Sequence, residues 1–212
     1  MELKIEGIED GTWIPERFAF GIADATQHMR FGENRNPGIV WSGEPAGTRS
    51  LVLICHDDDV PARADDVNQP GRTIAQNFPR TRFYHWVIVD IPSAIEHIAE
   101  ASASKGVTPG GKRDPAGPAG SRQGLNSFTG FLQGNPDMAG KYFGYDGPCP
   151  PWNDERLHRY HFTLYATDLK SFPLTGEFAG SAAETALEGH VLASARVSGL
   201  YSLHPPLLEQ RR

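Results

Sequence analysis

The stretch RSLVLICHD, residues 49–57, sets apolar side chains at consecutive positions and then stops on acid. Its aliphatic and β-branched content favours a strand. Successive strand side chains point to opposite faces, so an unbroken apolar run needs cover on both. FYHWVIVDIP, residues 83–92, has the same character and ends on a proline. LHRYHFTLYATD, residues 157–168, reads as a third strand, and SARVSGLYSL, residues 194–203, as a last one. Apolar residues on both parities in the first two runs suggest strands covered on both faces.

Helical patterning is sparse. Ser181 followed by Glu184, then Leu187 and Val191, predicts a capped helix in SAAETALEGHVLA, with Gly189 as its flaw. Ser93 and Glu96 in SAIEHIAEASAS repeat the pattern, which fits a short helix and irregular chain equally. The 23 glycines and 17 prolines point to turns and long connections rather than to a bundle. Residues 105–151 carry many of them, including GGKRDPAGPAGSRQG, and form the longest strand-free stretch. Aromatics inside it, in NSFTGF and GKYFGY, need burial, so the segment is expected to fold back over one domain spanning residues 1–212.

At 39% hydrophobic and 22% charged residues, the composition is that of a globular protein. A net charge of −6 with no basic run argues against nucleic acid as a partner. No apolar run approaches the roughly 20 residues that span a bilayer, so no membrane insertion is expected. The acidic N-terminus lacks the pattern of a signal peptide, and two cysteines, Cys55 and Cys149, suit a reducing, cytoplasmic setting without a disulfide.

Several polar residues stand where strand ends would gather them. His85 is alone in an apolar run and needs a buried partner. Asp57 and Asp59, two apart, can present carboxylates to one side, although Asp57-Asp58-Asp59 also reads as a solvated turn. Alternation puts His158 and Tyr160 on one face and Arg159 and His161 on the other, a poor arrangement for a metal shared by His158 and His161. GPCPP, residues 147–151, is a rigid, donor-poor turn that suits either a pocket wall or a plain connection.

In this order, the segments resemble the phosphatidylethanolamine-binding protein family, in particular its bacterial Raf-kinase-inhibitor-like branch. NPGIVWSGEPAGTRSLVLICHDDDVP (36–61) is similar to the family's Trp-containing segment and its Asp-Pro-Asp strand end, with Asp58 in the place of the proline. FYHWVIVDIP resembles the second motif, and GPCPP followed by HRYHFTLYATD resembles the third. The resemblance runs from about Ile14 to Tyr201. It implies an antiparallel β-sandwich-like fold with a few short helices and a small pocket at one end of the central sheet. The pocket walls would be Asp57, His85, Gly147, Pro148, His158 and Tyr160, with Asp59 alongside.

The implied function is non-catalytic binding of a small anionic or phosphorylated ligand, such as phosphate or phosphoethanolamine, with no cofactor or metal. Two imidazoles and a phenol would donate to phosphate oxygens. A regulatory, kinase-inhibitor-like protein partner and a homodimer are further expectations from the same resemblance. A hydrolase or metal enzyme built on His85, His158 and Asp57 is the competing reading.

Overall fold

The computed structural model describes residues 1–113 and 115–211. Among these residues ten strands form: β1 (Glu2–Ile5), β2 (Gly21–Asp24), β3 (His28–Phe31), β4 (Ile39–Ser42), β5 (Ser50–Pro61), β6 (Arg80–Pro92), β7 (His97–Ile98), β8 (Arg122–Gln123), β9 (His158–Thr167) and β10 (Val191–Tyr201). Among the described residues three short α-helices accompany them: α1 (Phe128–Phe131), α2 (Gly180–Leu187) and α3 (Pro205–Glu209).

The apolar runs of β5, β6 and β9 make the middle of a five-stranded antiparallel sheet in the order β10-β9-β5-β6-β8. Both of its faces are covered, as consecutive apolar residues require. On one face Leu51, Leu53, Trp86, Ile88, Phe162 and Leu164 pack with Ile39 and Trp41 of the small sheet β1-β4-β7. On the other, Val52, Ile54, Val87 and Val89 meet Phe172, Phe178 and the Ala183–Leu187 side of α2. Each such side chain stabilises the fold by about 1.5–3 kcal/mol through its removal from water. β2 and β3 form a separate hairpin.

One helical expectation fails in part, and the open reading of residues 93–104 is decided. Helix α2 forms, but no side chain caps it at Ala179, so the Ser181–Glu184 box is not made. Glu184 instead reaches back to β6, where it accepts from Arg82 and from the Tyr84 hydroxyl at 2.6 Å each. Gly189, at φ +79, ends the turn after the helix, and Val191 begins β10 rather than continuing helically. Residues 93–104 form no helix. They turn and supply β7, which pairs with β4, because Ile98 is buried by a strand neighbour rather than by a helical face.

The glycine-rich stretch is folded back over the sheet. β8 pairs with β6, the Ser127 amide donates to the Tyr84 carbonyl, and Phe128, Tyr142 and Tyr145 are buried. Cys55 and Cys149 are free thiols. No described helix is long and apolar enough to cross a membrane.

Candidate functional site

Irregular pairing at one end of the central sheet positions the site. Between the Cys55–Trp86 and His56–Tyr84 pairs, β5 advances one residue while β6 advances two, so His85 is an extra, bulged residue. Alternation restarts there. His85 therefore shares a face with Trp86 and looks onto Asp57 and Tyr160, which lie opposite each other in the β5–β9 register. A second bulge between Asp57 and Val60 puts the extra residue on β5. It separates the three acids: Asp57 faces the first core, while Asp58 pairs with Arg82 at 2.6 Å beside Glu184. Asp59 binds Arg156 at 2.7 Å and the Arg159 amide.

Asp57, His85 and Tyr160 line a cavity of about 140 Å³. Its remaining walls are mostly apolar: Phe20, Met29, Phe83, Phe128, Cys149 and Pro151 among others. His158 stands behind the wall instead of in it. Its Nδ1 lies 2.6 Å from Asp57 Oδ2 and its Nε2 3.2 Å from Asp154 Oδ2, and all three side chains are buried. Arg80 in turn donates to both oxygens of Asp154. The result is a buried row of alternating charge, Asp57, His158, Asp154 and Arg80. Burial alone would lower the His158 imidazole, but the Asp57 and Asp154 carboxylates outweigh it and raise it to about 9. At neutral pH His158 is an imidazolium with both N–H groups engaged.

His85 is the opposite case. Its Nδ1 lies 2.7 Å from the Asp146 carbonyl oxygen, which can only accept, so Nδ1 carries the proton. Burial pushes this imidazole down to about 4, against the smaller opposing pull of Asp57. The ring is neutral at pH 7, and Nε2 is an acceptor with no hydrogen-bond partner among the described residues. The Tyr160 hydroxyl likewise has no described partner.

Asp146 is itself held from the glycine-rich stretch. The amides of Asn34 and Asn126 and the ammonium of Lys112 donate to its buried carboxylate at 2.7–2.8 Å. Lys112 of the GGKRD run thus supplies the charge that accompanies the group orienting His85. That role is scaffolding within the pocket wall.

Of the residues expected to form the walls, three line the cavity. Gly147 and Pro148 lie one step behind it, and Cys149, Pro150 and Pro151 form its rim. Gly147 passes so close to the Phe18 carbonyl that a Cβ would collide with it, and its amide donates to Asn34 Oδ1 at 2.9 Å. The Pro148 carbonyl accepts from the Gly21 amide. Asp59 and His158 act through Arg156 and Asp57 rather than on the cavity. The sequence reading missed Asp146, Asp154, Arg80 and Lys112. For Asp154 a signal existed, its four-residue spacing from His158, but only the loop before β9 turns that spacing into contact.

The fold and site together define a mainly β protein with a small, partly apolar cavity at the end of a doubly covered sheet. The chain belongs to the phosphatidylethanolamine-binding protein family, whose model matches residues 4–202. A UPF0098 protein of Methanothermobacter thermautotrophicus is 32% identical over 95% of this chain and 98% of its own. The UPF0098 protein YbhB of Escherichia coli is 28% identical over 95% of this chain and the whole of its own. The crystal structure of E. coli YbcL, described as a member of the mammalian PEBP family, superposes with a TM-score of 0.68 at 23% identity. It covers 95% of this chain and 97% of that one, a likeness of fold.

Proposed function

We propose that this chain is a binding protein whose 140 Å³ cavity takes the polar end of a small phosphorylated ligand of the phosphoethanolamine kind. The observation that carries this is the convergence of Asp57, the unpartnered Nε2 of His85 and the unpartnered hydroxyl of Tyr160 on one cavity. The volume suits a head group and is well under the roughly 300 Å³ at which drug-sized sites begin. Two of the three groups accept hydrogen bonds, so the ligand must bring donors. An ammonium serves Asp57, a protonated phosphate oxygen serves His85, and Tyr160 donates to a second phosphate oxygen.

Binding is favoured over catalysis on chemical grounds. The Cys149 thiol is pushed up to about 12 by burial, which leaves it a poor nucleophile. His158 has no nitrogen left for a substrate, and no group of three metal-ligating side chains is found among the described residues.

Titration with phosphoethanolamine and with inorganic phosphate, followed through the His85 imidazole signals, tests the reading. A saturable shift with His85 still neutral, lost in Tyr160→Phe and Asp57→Asn, is the expected result. An absence of saturation with either compound would overturn the reading. A His85 signal that becomes imidazolium on binding would overturn its donor chemistry.

A further inference from the structure

A second cavity, of about 820 Å³, shares no lining residue with the one just discussed. It opens where the glycine-rich residues 109–113 cross residues 139–143, facing β8 and residues 176–178. Glycine is required at the crossing. A Cβ at Gly140 would collide with the Gly110 carbonyl oxygen, and one at Gly111 with the Lys141 carbonyl oxygen. The two walls are thus locked backbone to backbone, and the cleft between them is a built feature of the fold. Its volume lies within the range of about 300–1,000 Å³ usual for small-molecule sites.

Three cations line it, Arg113, Arg122 and Lys141, against Glu177 in the lining and Asp90 behind Arg122. In a chain of net charge −6 that is a local reversal of sign. Arg122 is anchored by Asp90 at 2.7 Å, by the Phe172 carbonyl at 3.0 Å and by the Leu174 carbonyl, so it forms a fixed wall. Lys141 pairs with Glu177 at 2.7 and 2.8 Å, but both side chains are about half exposed, and such a pair contributes little to the fold. Arg113 is exposed and has no acidic partner among the described residues. Phe143 and Phe178 give the cleft an apolar floor that water does not fill favourably.

We propose that this cleft is a second ligand site, for a small polyanion with neighbouring oxyanion groups such as a diphosphate. One anionic group meets Arg113, and another displaces Glu177 from Lys141, beside the fixed guanidinium of Arg122. The proposal stands independently of the head-group reading, because the two cavities are separate.

Calorimetric titration of the full chain with inorganic pyrophosphate tests it. The expected result is one saturable site per chain, weakening as salt is added. Arg113→Ala combined with Lys141→Ala, both at exposed positions that leave the fold intact, should lower affinity at least about tenfold. His85→Ala separates the two cavities. Pyrophosphate binding that is lost with His85→Ala and kept in the double variant would overturn the proposal, as would the absence of any saturable binding.

Discussion

Replacing Asp154 with asparagine keeps the side-chain volume and removes one charge from the buried row that holds Asp57. In the parent chain His158 lies between Asp57 and Asp154, and its imidazole is raised from the ordinary 6.5 to about 9. At about 1.4 kcal/mol per pH unit, that interval is worth roughly 3 kcal/mol of stability. Removing one partner of a buried pair costs about 3–5 kcal/mol by analogy, and Arg80, only 10% exposed, also loses its carboxylate. The sign follows from the raised value. Stabilisation by the His158 charge is complete below pH 6.5 and is lost as pH rises through about 9. Urea unfolding of the parent chain between pH 6 and 10 should therefore show stability declining by up to roughly 3 kcal/mol from this group. Asp154→Asn should be several kcal/mol less stable at pH 7 and show a shallower alkaline decline. An identical alkaline slope in both proteins, or a parent His158 imidazole titrating near 6.5 by NMR, would refute the reasoning.

His56 offers the converse test. It is buried on the α2 side of the sheet, neither ring nitrogen makes a hydrogen bond, and burial, then Arg82, lowers its imidazole to about 4. A lowered base costs stability as pH falls below 6.5, the loss being complete below about 4, so His56→Leu should gain about 2 kcal/mol on the parent between pH 7 and pH 5. Equal acid slopes in urea unfolding would contradict this. Lys112→Met removes the ammonium from Asp146, whose carboxyl is already raised by burial, and should cost about 3–5 kcal/mol while shifting the His85 imidazole signals. Unchanged stability and an unmoved His85 signal would show that the two asparagines hold Asp146 alone.

The strands of the central sheet were legible because their chemistry is local. Apolar, β-branched side chains at consecutive positions in β5 and β6 favour a strand buried on both faces, and that is the solution adopted. Local rules failed where a distant group offered a better partner. Glu184 left its expected cap for Arg82 and Tyr84, about a hundred positions away in the chain. Residues 93–104 gave up a helical pattern for an edge against β4.

The site divides along the same line. Strand alternation placed His158 and Tyr160 on one face, and the family resemblance placed Asp57 and His85 with them at one end of the sheet, where Asp57, His85 and Tyr160 line one cavity. What each group does was decided by tertiary structure alone. The bulge in β6 turns His85 to the cavity, where strict alternation from Trp86 would have sent it to the other face. The Asp146 carbonyl makes His85 an acceptor, and Asp154 with Asp57 makes His158 a fixed cation behind the wall. A bulge shifts every later side chain by half a repeat, and the charge of a buried imidazole depends on which atoms lie within about 3 Å of it. Both are set by residues far apart in sequence, so they arise only when the chain has closed around them.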